Sequence, residues 1–515
     1  MAKELSYKPL NDIGINGLNT QSNPATLDSS WLTNADNIIL RESGRISFRK
    51  GLKQNILKTT AKIGSIVEHK DVSTNKIFAG VGTKIYTVDF TTPDVPWTGS
   101  FTAGTASDWQ FVNFNKGLYG FQTGNPPIKY TSSTWAVTTN KPTGVTTFDP
   151  SCGMGYYGRN WVGGVAEEKD VVYYSDTLLG DTWAGGSSGS VDLKTVWGTD
   201  EIVAIAPFYG QLVIFGKHNI AIYKDVTDPS SMSLTEVIRG VGCTSRDTVI
   251  AVGDDLLFLS DTGLRSLNRT TELDKVPLTE YSVNIKDTLI RNISQSSAVK
   301  GVYVENEGVY VMSFITLNIT YVFDMKHLTP NKVPRITTWT FDSDREPASL
   351  AYTESKGFLV GQQVGSIAAY EGYFDKDYVS GGTYTSSSYT GSFKTIWINL
   401  GDSVGASLLK KLKAIINGGS GTSVGVKWYK DFNVVPSKTH TFLLNPTTTG
   451  TVALFGASTS LYGAVKYTPL YGLKEYNIPL TGSAKHLQVE MSAETNGYVA
   501  SLQAMTLLFK RGKIR

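Results

Sequence analysis

Between positions 202 and 267, short apolar runs alternate with glycine and aspartate turns. Ile202, Val203 and Ile205 lead to a turn at Tyr209-Gly210, residues 212–215 lead to a second at 216–219, and residues 220–223 follow. The cadence then repeats, with apolar runs at 248–252, 256–259 and 264–267 separated by turns at 253–255 and 261–263. Runs of four or five residues between such turns predict small antiparallel sheets rather than helices.

The motif has a period. The turn residues before the strongest inner runs are Asn75, Gly117, Asn160, Gly210, Gly253, Gly308 and Gly357, at intervals of 42, 43, 50, 43, 55 and 49 residues. A repeat of roughly 40–50 residues with three or four short strands is the pattern of a β-propeller. One blade has two apolar faces and cannot bury both alone, whereas a closed ring of blades buries them all. Seven units are countable, and six to eight blades fit the spacing. The sequence therefore predicts an all-β protein whose propeller spans residues 61–375.

The longest interval holds a helix signal over 278–293. Tyr281, Ile285, Leu289 and Ile293 recur every fourth residue and would share one face. This predicts a short amphipathic helix on the propeller rim, either covering a sheet edge or docking a partner. Residues 1–60 differ from the repeat and read as an N-terminal arm. It holds a hairpin, with strands at 37–40 and 45–48 around a turn at 42–44. Arg41, Arg45, Arg49 and Lys50 form a basic cluster there, read as solvated strand faces or as a contact for an acidic partner or DNA phosphate. After Asp375, a Ser/Gly/Thr/Tyr-rich stretch marks a boundary. Strand patterns at 393–400, 412–416, 424–429, 439–444, 487–492 and 500–510 then predict a C-terminal β-sandwich-like domain over 383–515. In the last of these, Leu502, Ala504, Thr506 and Leu508 would alternate with the opposite face. The basic end from Lys510 reads as a solubilising tail or as a contact for phosphate or an acidic subunit.

Composition agrees with many tight turns, since 51 of 515 residues are glycine. The charge balance of 48 Lys+Arg against 45 Asp+Glu gives no global reason to expect nucleic-acid binding. No apolar run approaches 18 residues and no secretory pattern opens the chain, so stable membrane insertion is not expected. Cys152 and Cys243 stand in no metal-binding or redox motif and read as buried thiols, with a disulfide between them left open.

Catalytic chemistry finds no foothold. His69, His218, His327, His440 and His486 are scattered without a ligand pair, and no phosphate-binding or nucleophile-elbow motif occurs. The string from Ser175 to Trp183 loosely resembles the Asp box of sialidase-type propellers, which is a structural turn rather than a catalytic element. Glycoside hydrolysis needs two positioned carboxylates or a tyrosine nucleophile, and no such pair stands out. No catalytic, cofactor-binding or metal residue is nominated, no cofactor is expected, and the chain reads as a non-enzyme.

Several segments carry a family resemblance. Ser22-Asn23-Pro24, Ala35 through Leu40, Gly44-Arg45-Ile46 and Arg49 through Leu52 resemble the amino-terminal pattern of tail proteins of short-tailed bacteriophages (podoviruses). That family contains the tail nozzle, or tail tubular protein B, and related tail hub proteins. Phe208 through Gly216, Gly242-Cys243, Leu257 through Leu264, Gln488-Val489-Glu490 and Thr506 through Lys510 are similar to the same family. The resemblance implies a structural protein of the virion tail, made in the host cytoplasm. It implies a homohexameric ring below the portal and the tail adaptor protein, holding a tail fibre or other distal tail proteins. Double-stranded DNA would pass through the ring transiently during genome ejection. Two other readings are a glycan-binding or glycan-cleaving propeller at a tail tip, and a cytoplasmic propeller scaffold.

Overall fold

A computed structural model describes residues 5–10, 12–41, 45–54, 61–70, 75–90, 97–267, 280–296, 298–380, 382–400, 405–445, 471–495 and 497–511. The repeat becomes a ring of sheets. Blade 1 holds strands Ile63–Lys70, Asn75–Val81, Lys84–Val88 and Thr98–Thr102. Blade 2 runs from Gln110–Phe114 to Thr134–Val137, blade 3 from Cys152–Tyr156 to Gly189–Asp192, and blade 4 from Ile202–Phe208 to Ser233–Arg239. Blade 5 has three strands, Ile250–Val252, Asp255–Ser260 and Gly263–Ser266. Blade 6 holds Ala298–Val304, Val309–Ile315, Ile319–Leu328 and Pro334–Trp339. Blade 7 holds Pro347–Thr353, Gly357–Gln362 and Ile367–Tyr370, and its fourth strand is Leu52–Gln54 from the N-terminal segment. Among the described residues the propeller thus has six four-stranded blades and one three-stranded blade.

Each of the seven anchors falls at the turn between the first and second strands of its blade or at the start of the second strand. Gly210, Gly253, Gly308 and Gly357 there take φ of 79°, 59°, 69° and 72°, the left-handed region where a side chain is disfavoured. Apolar clusters fill the gaps between blades, for example Ile205, Leu212 and Ile214 of blade 4 against Trp161 and Val172 of blade 3.

The amphipathic helix is present as Lys286–Gln295, preceded by one tight turn over Val283–Ile285. Leu278, the expected start, lies outside the described residues. Tyr281, Ile285 and Leu289 are buried and Ile293 packs against the same cluster, so the four-residue spacing produces the face it implies. The helix lies against Gly263–Ser266, the outer strand of blade 5, where the other blades carry a fourth strand. Reciprocal hydrogen bonds between Gln21 and Asp287 (3.0 and 3.1 Å) fasten it to the N-terminal segment.

The N-terminal segment does not stand apart as an arm, because its strands are shared between both halves of the molecule. Leu5–Leu10 pairs with Ser501–Lys510. Trp31–Asp36 lies between Pro334–Trp339 of blade 6 and Thr390–Thr395. Ile38–Leu40 and Ile46–Phe48 form the expected hairpin, whose turn at 42–44 lies outside the described residues. The sandwich has one sheet built from that hairpin, Leu5–Leu10, Ser501–Lys510, Ser407–Gly419 and Tyr471–Pro479. The facing sheet contains Trp31–Asp36, Thr390–Thr395, His486–Glu494, Ser423–Lys430 and Lys438–Leu443, and runs on without a break into blade 6. Leu412, Ala414 and Ile416 meet Val426, Trp428, Val489 and Met491 in the core.

Two details depart from the sequence expectation. Thr383–Ser387 pairs with Asp375–Ser380 on the blade 7 sheet, so the strands of the sandwich begin at Thr390 rather than at 383. In Ser501–Lys510 the pairing register shifts between Ala504 and Leu502 against Ile415 and Ile416. Leu502 is buried before that irregularity and Met505, Leu507 and Phe509 after it, so the inward set changes parity within one strand.

Candidate functional site

Two buried charged centres stand out, one on the propeller axis and one where propeller and sandwich meet. The first follows from the short turn Arg246–Thr248, which carries the chain into blade 5. Arg246 reaches from there to blades 2 and 3. Its Nη2 donates to the Asp108 carboxylate at 3.0 Å and to the Asp108 carbonyl at 3.1 Å, and its Nη1 donates to the Ser151 carbonyl. Lys300, on the inner strand of blade 6, donates to Asp247 Oδ2 at 2.6 Å and also to Asp108.

Arg246, Asp247 and Lys300 edge a cavity of about 210 Å³ into which blades 1, 2, 5, 6 and 7 contribute Ser65, Gln110, Ile250, Gly301 and Ser349. Burial alone would raise the Asp247 carboxyl, yet Lys300 and Arg246 outweigh it and hold the group below the ordinary carboxylate value. Burial acts to lower Lys300, and the carboxylates of Asp247 and Asp108 reverse this, so its pKa is raised. Each member of the network has an oppositely charged neighbour within hydrogen-bond reach. The network ties blades 2, 3, 5 and 6 together beside that cavity.

The second centre is Arg49, which is 0% exposed. It is a correction to the basic cluster read from sequence as solvated strand faces or a partner contact. Its Nε donates to Asn37 Oδ1 at 2.8 Å and its Nη1 to the Lys50 carbonyl at 2.8 Å. The guanidinium lies over Tyr389 at 4.0 Å and Phe341 at 4.7 Å from the ring centroids. Asp375 is its ionic partner at 3.7 Å. Asn37, in the left-handed region at φ 54°, also donates to the Thr390 carbonyl at 3.0 Å. Leu52 N–H donates to Asp375, and the Tyr389 hydroxyl donates to the Arg49 carbonyl. One arginine thus touches the hairpin, blade 6, blade 7 and the first sandwich strand. Burial raises the Asp375 carboxyl against the opposing pull of Arg49, and burial likewise raises Asp36 against hydrogen bonds from Thr340 and Thr338. Lys50 and Arg41 are paired nearer the surface, with Glu307 holding Lys50 at 2.6 Å and Arg41 at 3.3 Å, and Arg45 is exposed.

The other candidate residues stay apart. Cys152 and Cys243 are free, buried thiols, and burial pushes both up to about 12. His69 meets Asn113 at 2.8 Å and His327 meets Asp324 at 3.1 Å. No group of three His, Cys, Asp or Glu among the described residues is placed to hold a metal ion. In the Ser175–Trp183 string, the Asp176 carboxylate accepts from Thr177 N–H (2.8 Å), Ser187 N–H (3.0 Å) and Ser187 hydroxyl (2.6 Å). It folds a turn on the outer side of blade 3, as the Asp-box likeness suggests. Sequence reasoning missed both charged centres. Arg246 and Lys300 carry no motif, and the partners of Arg49 lie hundreds of positions away.

Fold and geometry define a class, a β-propeller fused to a β-sandwich through a shared N-terminal segment. No protein-family model matches the chain, and no curated protein sequence matches it. Among solved structures it is similar to the extracellular domain of a hybrid two-component system from B. thetaiotaomicron, at 12% identity and a TM-score of 0.43 over 69% of this chain and 48% of that one. The chain therefore spans about half the length of that protein. It is also similar to YCF48 from Cyanidioschyzon merolae, at 10% identity and a TM-score of 0.37 over 62% of this chain and 98% of that one. The Neurospora crassa Pan2 WD40 domain matches at 9% identity and a TM-score of 0.35, over 60% of this chain and 89% of that one. Likenesses at this level carry no functional argument; the propeller rests on the sheet topology itself.

Proposed function

We propose that the chain is a structural protein of a short-tailed bacteriophage tail, a ring-forming nozzle or hub that provides a channel for genome ejection. The observation that carries this reading is the position of the residues that resemble that family. Ala35 through Leu40 and Arg49 through Leu52 make up the seam, contributing to both sandwich sheets, the Arg49 centre and the fourth strand of blade 7. The similar segments near the C-terminus, Gln488 through Glu490 and Thr506 through Lys510, lie in strands at the heart of the two sandwich sheets.

The axial cavity of about 210 Å³, with paired charge at its edge, is far too small to pass a DNA duplex. In this reading DNA runs between copies of the chain, around a ring axis, rather than through any one propeller. A heterologous patch repeated around such a ring closes it. Near-neutral net charge suits a conduit that must let DNA slide instead of holding it. The partners are other copies, the tail adaptor above and distal tail proteins below.

The test is light scattering and negative-stain microscopy of the purified protein, alone and with its adaptor. Six-fold rings are expected. A protein that stays monomeric with the adaptor and inside virions overturns the reading. Specific binding or cleavage on a glycan array by the isolated chain would move the assignment to the glycan class.

A further inference from the structure

A groove separates the hairpin of Ile38–Leu40 and Ile46–Phe48 from blade 6, apart from both charged centres. Its floor is apolar, with Ile39, Val309 and Val322 in one buried cluster. Its walls are cationic. Arg41, Arg45, Lys326 and Arg335 line a cavity of about 210 Å³, with Glu307 and Asp324 as its carboxylates. Both carboxylates are engaged. Glu307 accepts from Lys50 and Arg41. Asp324 accepts from the backbone amides of Lys326 at 3.0 Å and His327 at 3.2 Å, and faces the His327 ring at 3.1 Å.

Arg335 is placed otherwise. It sits opposite Asp324 in the strand register and is 7% exposed. Its Nη1 makes a long contact of 3.5 Å to the Arg41 carbonyl, and its buried Nε has no hydrogen-bond partner. A buried guanidinium N–H without an acceptor is unfavourable, and Arg335 Nε–H is one. Burial also lowers its pKa, with Asp324 opposing. Lys326 comes to the same groove because its stem lies across Gly308. A Cβ at Gly308 would meet Lys326 Cε at 2.2 Å, so the anchor glycine of blade 6 makes room for the lysine. The ammonium there has a carbonyl contact, to Asn306 at 3.4 Å.

We propose that this groove is a binding site for a phosphate-type oxyanion, with Arg335 and Lys326 as its principal donors and Arg41 at the rim. This goes beyond the structural role proposed above and does not depend on it. Four cations against two engaged carboxylates leave an excess that suits a dianion better than a single carboxylate. The fork of an arginine matches phosphate oxygens. The cavity is far larger than the ~10–15 Å³ that holds one water, so a phosphomonoester with a small organic group fits as well as free phosphate. A rigid duplex cannot follow Arg335 to this depth, which favours a small ligand over a DNA backbone.

The test uses the full chain in thermal-shift and calorimetric titrations with inorganic phosphate and with a nucleoside monophosphate. Acetate, and chloride at matched ionic strength, serve as comparison arms. Phosphate should stabilise the protein saturably beyond chloride, and the nucleotide arm separates free phosphate from a phosphomonoester. Arg335→Met should abolish the effect. Lys326→Gln, an exposed position that leaves the fold intact, should weaken binding about tenfold, which keeps the test decisive should the Arg335 variant not fold. A phosphate shift no larger than that of chloride overturns the proposal. So does equal saturable binding of acetate, or binding unchanged in Lys326→Gln.

Discussion

The axis and the seam both bury charge, and they do so on opposite terms. At the axis, Arg246 and Lys300 meet Asp108 and Asp247 within hydrogen-bond reach, so each charge has an opposite neighbour. At the seam, Arg49 is held by neutral oxygens and two aromatic faces, with its carboxylate partner 3.7 Å away. The carboxyls record the difference. Asp247 is pulled below its ordinary value, whereas Asp375 and Asp36 are pushed above theirs. A tight ion network makes the ionised state the comfortable one. A cation shared among rings and amide oxygens leaves nearby buried carboxyls above their ordinary pKa, because burial outweighs its pull.

Removing the seam cation is the most severe way to break this contrast. Arg49→Met leaves Asp375 buried without its counter-charge and strips donors from Asn37 and the Lys50 carbonyl. It should cost about 3–5 kcal/mol and split unfolding of propeller and sandwich into two denaturant transitions. A single unshifted transition would show that the arginine does not couple the two halves. Lys300→Met should cost less, about 2–3 kcal/mol, because Asp247 keeps Arg246 and Asp108 remains partly solvated. Its effect should appear in hydrogen exchange of blades 2, 5 and 6 and leave sandwich amides unchanged.

Acidification sharpens the same contrast through opposite signs. Asp247 has a depressed pKa, so its contribution is complete above the unfolded value of ~3.9 and fades as pH falls through the folded one. Asp375 and Asp36 have raised values, so their contribution is present below ~3.9 and fades as pH rises through the folded values. From pH 7 toward pH 4, exchange protection corrected for intrinsic rates should rise at the seam and hold at the axis. Below that, the axis should weaken first. Parallel behaviour at the two centres would remove the distinction drawn between them. The smallest expected effect is Gly253→Ala, about 1 kcal/mol from the left-handed φ of 59° with open space around the new methyl. Thermal melting should show it as a modest loss confined to the propeller.

What could be read from sequence follows how local each contact is. The seven anchors were legible because a blade closes on itself within some forty residues, and its turns need glycine or asparagine wherever the chain runs. The helix face at Tyr281, Ile285 and Leu289 was legible for the same reason. The sharing of the first sixty residues was not. Leu5–Leu10 pairs with the far end of the chain, and Leu52–Gln54 completes blade 7, through backbone hydrogen bonds that leave no residue signature. Arg49 looked like any surface arginine, since nothing near it in sequence announces Tyr389, Phe341 and Asp375. The parity change within Ser501–Lys510 also escaped, because an irregularity in pairing moves the inward set without altering composition.

The strand Leu52–Gln54 has a consequence for how the molecule is made. It is translated before any complete blade, yet Leu52 binds Asp375, which lies 323 residues later. At about 5–20 residues per second, roughly 15–65 s separate the appearance of the latch from that of its seat. Throughout that interval the nascent chain carries an unmated strand, and blade 1 waits beside an unfilled place in the ring. Closure is therefore a late event on the ribosome or after release, and the sandwich, which needs both ends of the chain, can finish only after it has begun.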